Sequence, residues 1–242
     1  MDELLPNVRQ PRRTGGRLRL RLWLIVTLVV VFAVLGVSAY RVGSGGAWDH
    51  DVLHWLIEQR RGWLTATAIA LTEAGSPIAM GLLAVIAAAL LWWRRRAPLQ
   101  GIVVLSTLVV ASGISTVTKV IVGAHRPPRV VQLVREVDPS FPSGHVTGTL
   151  ALLGVLAVVI GRDRRAAVRV ALAAGVAAST VMVAATRLYL GVHWLTDVCG
   201  GAMLGAAAVV GSSLMLDKVA GSRDGTADRP DESAAVKASP MA

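Results

Sequence analysis

The chain has 242 residues, 54% hydrophobic and only 17% charged, with a mean hydropathy of +0.59, a composition that soluble domains of this length do not need and a bilayer does. The net charge of +10 does not point to nucleic acid, because the 25 Lys and Arg residues cluster beside apolar runs and form no basic face with stacking aromatics. Cys199 is the only cysteine, which excludes an intrachain disulfide and a Cys-rich metal site and leaves it the role of a small packing residue.

Residues 1–21 read as a basic segment carrying Arg9, Arg12, Arg13, Arg17, Arg19 and Arg21. The apolar run 22–39 follows. A signal-peptide core holds roughly 7 to 15 residues, so this longer run is expected to stay as the first membrane helix, although Val37, Ser38 and Ala39 resemble a small-residue cleavage site. Between 41 and 63, Val52, Leu53, Leu56 and Ile57 keep helical spacing while Asp51, Glu58 and Gln59 take other faces, the pattern of a helix lying in the interface. Trp48, Trp55 and Trp63 suit headgroup depth on the same side. The apolar stretch 64–93 is interrupted at Gly75, Ser76 and Pro77, so the second span is expected over 77–93. Further spans are expected over 99–122, 146–160, 168–186 and 195–216, near the roughly 20 residues that a bilayer core requires. The tail 217–242, rich in Ser, Asp, Ala and Pro from Gly221 onward, reads as disordered.

The expected architecture is all-α: a six-span membrane bundle over 22–216 with an outer interfacial helix, flanked by the basic segment and the tail. Arg94, Arg95 and Arg96 after the second span, and Arg162, Arg164, Arg165 and Arg169 after the fourth, repeat the basic bias of the amino terminus and mark the inner side. Both termini are then cytoplasmic, the location is the plasma membrane, and the connections 123–144 and 187–194 fall outside. Gly113, Gly154, Gly175, Gly201 and Gly205 are expected to let neighbouring helices approach closely.

Three polar patches lie in or beside those outer connections. In the first, Lys119 and Arg126 stand close to hydrocarbon, where a cation is costly unless it meets an anion or water. Either one alone is explained by snorkelling to lipid headgroups. Gly123 and Pro127 end the helix, so Arg126 can turn back toward Lys119. The second patch is Pro142, Ser143, Gly144 and His145, just before the fourth span. Ser143 is expected to cap the helix, and Gly144 lets an anion approach the free amides of its first turn. Read alone, this is an ordinary helix start. In the third patch, Thr186 and Arg187 are followed by His193 and Asp197, which are four apart and share a face of the sixth span's opening turn. A carboxylate there bonds one ring nitrogen, sets the tautomer and leaves the other nitrogen free, as a nucleophile or base needs. A purely structural His–Asp pair is the alternative.

Together, Lys-x6-Arg-Pro from Lys119, Pro-Ser-Gly-His ending at His145 and Thr-Arg-x5-His-x3-Asp ending at Asp197 resemble the three-part signature of the type 2 phosphatidic acid phosphatase superfamily. The resemblance runs from Lys119 to Asp197, and Thr186 stands where that signature usually has serine. It implies a membrane lipid phosphatase in which His193 attacks phosphorus to form a phosphohistidine and Asp197 steadies it. Lys119, Arg126, Arg187, the Ser143 hydroxyl and the Gly144 amide would hold the phosphoryl oxygens. His145 would protonate the leaving oxygen and then activate water. The first step then needs the two histidines in opposite protonation states.

No cluster with metal-ligand spacing accompanies these residues, so neither metal nor cofactor is expected. The implied partners are membrane lipids and a lipid phosphate: phosphatidic acid, phosphatidylglycerol phosphate, diacylglycerol pyrophosphate or a polyprenyl pyrophosphate. Vanadium haloperoxidases share the signature but resemble soluble enzymes, and six spans argue against them. A lipid phosphotransferase using the same histidine, and a non-catalytic binder or transporter of anionic lipid, are the other readings. Among the remaining polar residues, His125 is assigned to packing or solvent contact, His50 and His54 to a solvated face, and Arg129, Arg135, Glu136 and Asp138 to shaping substrate access. Oligomeric state is not legible.

Overall fold

The structure, a computed structural model, describes residues Thr14–Ala227. Among the described residues the chain forms eight α-helices and no strand: α1 (Thr14–Val42), α2 (Ala47–Glu58), α3 (Gly62–Ala74), α4 (Pro77–Arg95), α5 (Pro98–Val122), α6 (Gly144–Gly161), α7 (Ala166–Tyr189) and α8 (Leu195–Ala227). The long α5–α6 connection holds one 3-10 turn, Arg129–Val131. Six helices, α1, α4, α5, α6, α7 and α8, are long and apolar enough to cross a membrane. Their outer faces expose Leu, Val and Ile that only hydrocarbon solvates well, and a helix satisfies its own backbone there. The protein is a multi-pass membrane protein with the all-α fold that its apolar runs predict.

α6 occupies the centre, because a helix apolar on every side gains most from being surrounded. α5, α7 and α8 pack on it, and Val146, Leu152, Val155 and Val159 are buried. α1 leans on α8, touches α5 and Phe141 of the long loop, and is exposed over most of its length. Lipid tails are as apolar as leucine, so helices associate here through close packing. A Cβ on Gly154 would fall 2.3 Å from Cγ2 of Val209, and one on Gly205 would fall 2.9 Å from Cβ of Leu150, so both glycines are what brings α6 and α8 together. Gly113 and Gly175, expected to serve the same purpose, face open space; a small residue permits a close approach without requiring one.

The break at 75–77 is built as its residues dictate. Ser76 Oγ accepts from the Ala79 amide at 3.2 Å and Pro77 opens α4, which leaves α3 a separate short helix. The expected interfacial helix is α2, and Trp48, Trp55 and Trp63 are exposed. α8 continues past 216, so Gly221 to Ala227, expected to begin a disordered tail, extend the helix; the rest of that tail and the basic residues before Thr14 lie outside the described residues.

At one end of the bundle Arg21 of α1 and Arg162 both pair with Asp217 of α8. At the other end α5 stops at Gly123, whose left-handed φ of 60° turns the chain into the long loop. α2, that loop and the α7–α8 connection meet there.

Candidate active site

All eight predicted site residues come together at this second end. Lys119 sits in the last turn of α5 and is buried. Its ammonium lies 3.0 Å from Asp138 Oδ2 and also donates to the Pro139 carbonyl. Arg126, just past α5, turns back as expected. Its Nε donates to the Asp138 carbonyl at 2.8 Å, Nη2 to Asp138 Oδ1 at 2.8 Å, and Nη1 to the Val192 carbonyl at 2.6 Å. Arg187, 1% exposed near the end of α7, donates to Thr72 Oγ1 of α3 at 3.0 Å and pairs with Glu136, while its Nε is buried without a partner. Three cations therefore converge from two helices and a loop.

His193, 2% exposed, lies between α7 and α8 with Asp197 one turn on. Asp197 Oδ2 is 3.1 Å from His193 Nδ1 and also accepts from the Trp194 amide at 2.8 Å. Its Oδ1 accepts from Ser140 Oγ at 3.3 Å. On the other side of the ring, Nη1 of Arg126 is 3.1 Å from Nε2. A guanidinium only donates. Nε2 is accordingly the acceptor, and Nδ1 carries the proton that it gives to Asp197. The imidazole is neutral, and its Nε2 lone pair faces the cations and accepts from Arg126. Burial first, and then Arg126, Arg187, Lys119 and His145, push this imidazole well below its ordinary pKa.

Ser143 occupies the N-cap position of α6, but its side chain makes no cap bond. Its amide donates to the Asp197 carbonyl at 3.0 Å, its carbonyl accepts from Thr147, and its buried Oγ has no partner. The expected capping role is thus replaced by an unspent hydroxyl, since the α8 backbone holds the residue instead. Gly144 and His145 line one cavity with Lys119, Arg126 and His193. This cavity, about 400 Å³, runs between α4, α5 and α6 down to Met80 and Leu108. Leu108 and Lys119 share α5, so at 1.5 Å per residue it extends about 16 Å from its charged end to its apolar end.

Thr186 is adjacent to the site without entering it: its Oγ1 donates to the Val183 carbonyl at 2.7 Å within α7. His125 has an exposed side chain, and its backbone works as a tether, donating to Gly43 and accepting from Trp194 Nε1 at 2.7 Å. His50, expected on a solvated face, is half-buried, with its ring tilted against Trp194 at a centroid distance of 4.8 Å. Arg129, Glu136 and Asp138 line a neighbouring depression in the loop.

Two groups were missed. Asp49 of α2, buried, accepts from the Thr196 amide at 2.8 Å and from Thr196 Oγ1, capping α8 beside Asp197. Arg60 donates to the Val131 and Tyr189 carbonyls and joins the loop to the end of α7. An acid next to Trp48 in an interfacial segment was the one available hint of Asp49.

The model of the PAP2 superfamily matches residues 100–220, half of the chain and all of the site. The chain belongs to the PAP2 superfamily. Phosphatidylglycerophosphatase B of Bacillus subtilis (strain 168) is 29% identical over 185 residues, which cover 74% of this chain and 88% of the relative. The crystal structure of a transmembrane PAP2-type phosphatidylglycerolphosphate phosphatase from B. subtilis superposes with a TM-score of 0.73 at 24% identity, covering 81% of this chain and 96% of that one. Aquifex aeolicus LpxE superposes with a TM-score of 0.53 at 18% identity, covering 69% and 95%. As a PAP2 protein the chain keeps the fold across its spans, and all its signature residues except Thr186 reach the site.

Proposed function

We propose that the protein is a lipid phosphatase working through a phosphohistidine on His193. The observation that carries this reading is the Nε2 lone pair of a neutral His193, backed by Asp197 and directed at three converging cations. Phosphate monoesters and anhydrides demand that combination: a nucleophile for phosphorus and fixed positive charge for its equatorial oxygens.

Lys119, Arg126 and Arg187 neutralise those oxygens, and the Ser143 hydroxyl and Gly144 amide donate to them. Nε2 attacks phosphorus as the bond to the leaving oxygen breaks, and that oxygen takes the proton that His145 carries once the negative charge of the bound phosphate offsets the neighbouring cations. His145 then accepts a proton from water as its oxygen attacks. The P–N bond breaks, phosphate leaves, and both histidines return to their starting states. Asp197 stays ionised and holds the positive charge that forms on the attacking ring.

The cavity favours an amphiphile, because it is charged at one end and apolar at the other. Phosphatidylglycerol phosphate, the substrate that two relatives' names carry, phosphatidic acid and polyprenyl pyrophosphate all present phosphate at headgroup depth. Charge bias supports a cytoplasmic position for the arginine-rich end around Arg21 and Arg162 and an outer position for the site. The test is phosphate release from these three lipids by detergent-purified protein, wild type against His193→Ala, with 32P-labelled protein trapped in acid-labile, base-stable form during turnover. Release that persists in His193→Ala would remove the nucleophile from this scheme.

A further inference from the structure

The cations that would grip phosphate are already engaged by two carboxylates of the protein's own loop. Asp138 bridges Lys119 at 3.0 Å and Arg126 at 2.8 Å. Glu136 pairs with Arg187 and lies 4.0 Å from Arg126. These are the only acids in the connection between α5 and α6. Both line the cavity shared by His145 and His193, so they occupy the place where the clamp meets a substrate. Arg187 and Lys119 are buried, so their charges are costly to leave unmatched, whereas the Asp138 side chain is 48% exposed and belongs to a segment without helix or strand.

We infer that Glu136 and Asp138 form a charge filter: an internal counter-ion pair that only an anion of two or more charges displaces, so that singly charged phosphodiester headgroups of the surrounding bilayer are kept out of the site. The inference rests on the phosphatase reading. Its physics is charge matching. Three cations face two carboxylates. A phosphomonoester above its second pKa of about 6, or a pyrophosphate, brings at least two charges and replaces the carboxylates one for one. A phosphodiester brings one, so its binding would leave one more buried cation bare, an outcome that disfavours it even when it is abundant. Asp138 is suited to the task because it stays ionised: burial alone would raise its pKa, and Lys119 and Arg126 outweigh that and hold it below the usual carboxylate range.

The experiment is equilibrium binding by calorimetry in detergent, using His193→Ala protein to prevent turnover. The probes are phosphatidic acid and phosphatidylglycerol with matched short acyl chains. The parent should prefer the monoester by about tenfold or more. Asp138→Asn, which keeps the side chain's shape and an oxygen acceptor, should shrink that preference at least about fivefold by tightening phosphatidylglycerol binding, and Glu136→Gln should act in the same direction. An unchanged or weaker affinity for phosphatidylglycerol in Asp138→Asn, or a parent without preference, overturns the filter while leaving the phosphatase reading intact. Failure of every variant to bind either lipid overturns the phosphatase reading and the filter with it.

Discussion

Arg126 Nη1 lies 3.1 Å from His193 Nε2, across the ring from the 3.1 Å contact between Nδ1 and Asp197. One donor and one acceptor, on opposite nitrogens, select a single tautomer of a buried imidazole. The arginine proposed to bind phosphate thereby also sets the tautomer of the proposed nucleophile.

That pairing sets a pH expectation. His193 is depressed by burial and by its neighbouring cations, so its neutral form persists below its ordinary value of 6.5. The acid limb of kcat/KM assigned to His193 should lie below pH 6.5. Arg126→Ala removes a repelling charge, so it should move that limb upward while lowering kcat/KM about 100-fold. The same shift sets the sign for stability: the contribution of neutral His193 is present above 6.5 and is lost as pH falls toward the depressed value. A limb that stays in place in Arg126→Ala would contradict the assignment.

Thr186 and Arg187 are neighbours with different work. The Thr186 hydroxyl bonds its own helix, whereas the Arg187 guanidinium reaches the site. Thr186→Ala should keep activity within about threefold, and Arg187→Ala should lose about 100-fold or more. Initial-rate measurements on both variants decide whether the serine-to-threonine departure matters.

Asp49 caps α8 from a helix far away in sequence. Asp49→Ala should lower the melting temperature in detergent, with a cost of about 1–2 kcal/mol from the lost cap bonds. It should also lower kcat more than it raises KM, because Thr196 adjoins Asp197. Asp49→Asn, which still offers an acceptor, should recover part of both.

A Cβ on Gly201 would fall 2.7 Å from the Ser143 carbonyl, and one on Gly113 would meet nothing within 4 Å. Gly201→Ala is expected to destabilise by about 1–3 kcal/mol and to reduce activity by moving the start of α6. Gly113→Ala should be neutral or slightly stabilising. Thermal melts and turnover of the two variants provide the comparison.

Chelation provides a fifth test. Among the described residues no group of three or more His, Cys, Asp and Glu is placed to hold a metal ion. Phosphate release should be unchanged by EDTA, and activity abolished by EDTA and restored by magnesium would require a different source of positive charge from the three side chains.

The spans were legible because a bilayer imposes a length and an apolar composition on every helix crossing it. The cations and histidines were legible because charge near hydrocarbon is conspicuous. Asp138 and Glu136 could be located at substrate access but not paired, since pairing depends on how a loop without periodicity folds back. The Thr196–Asp49 bond joins residues 147 apart, a separation that no local pattern encodes. Ser143 shows a subtler limit: its position before a helix predicts a cap, and only the neighbouring α8 backbone reveals that its hydroxyl is unused.

The Arg21–Asp217 and Asp49–Thr196 contacts join the first two helices to the last one. During synthesis the amino-terminal part of the chain enters the membrane long before α8 exists. His193 and Asp197 therefore acquire their surroundings only at the end of insertion, when the final helix closes against the first. A chain interrupted before α8 would already hold Lys119, Arg126 and His145 in the bilayer and still lack the Asp197 that His193 pairs with, so the proposed nucleophile is unprepared until assembly is complete.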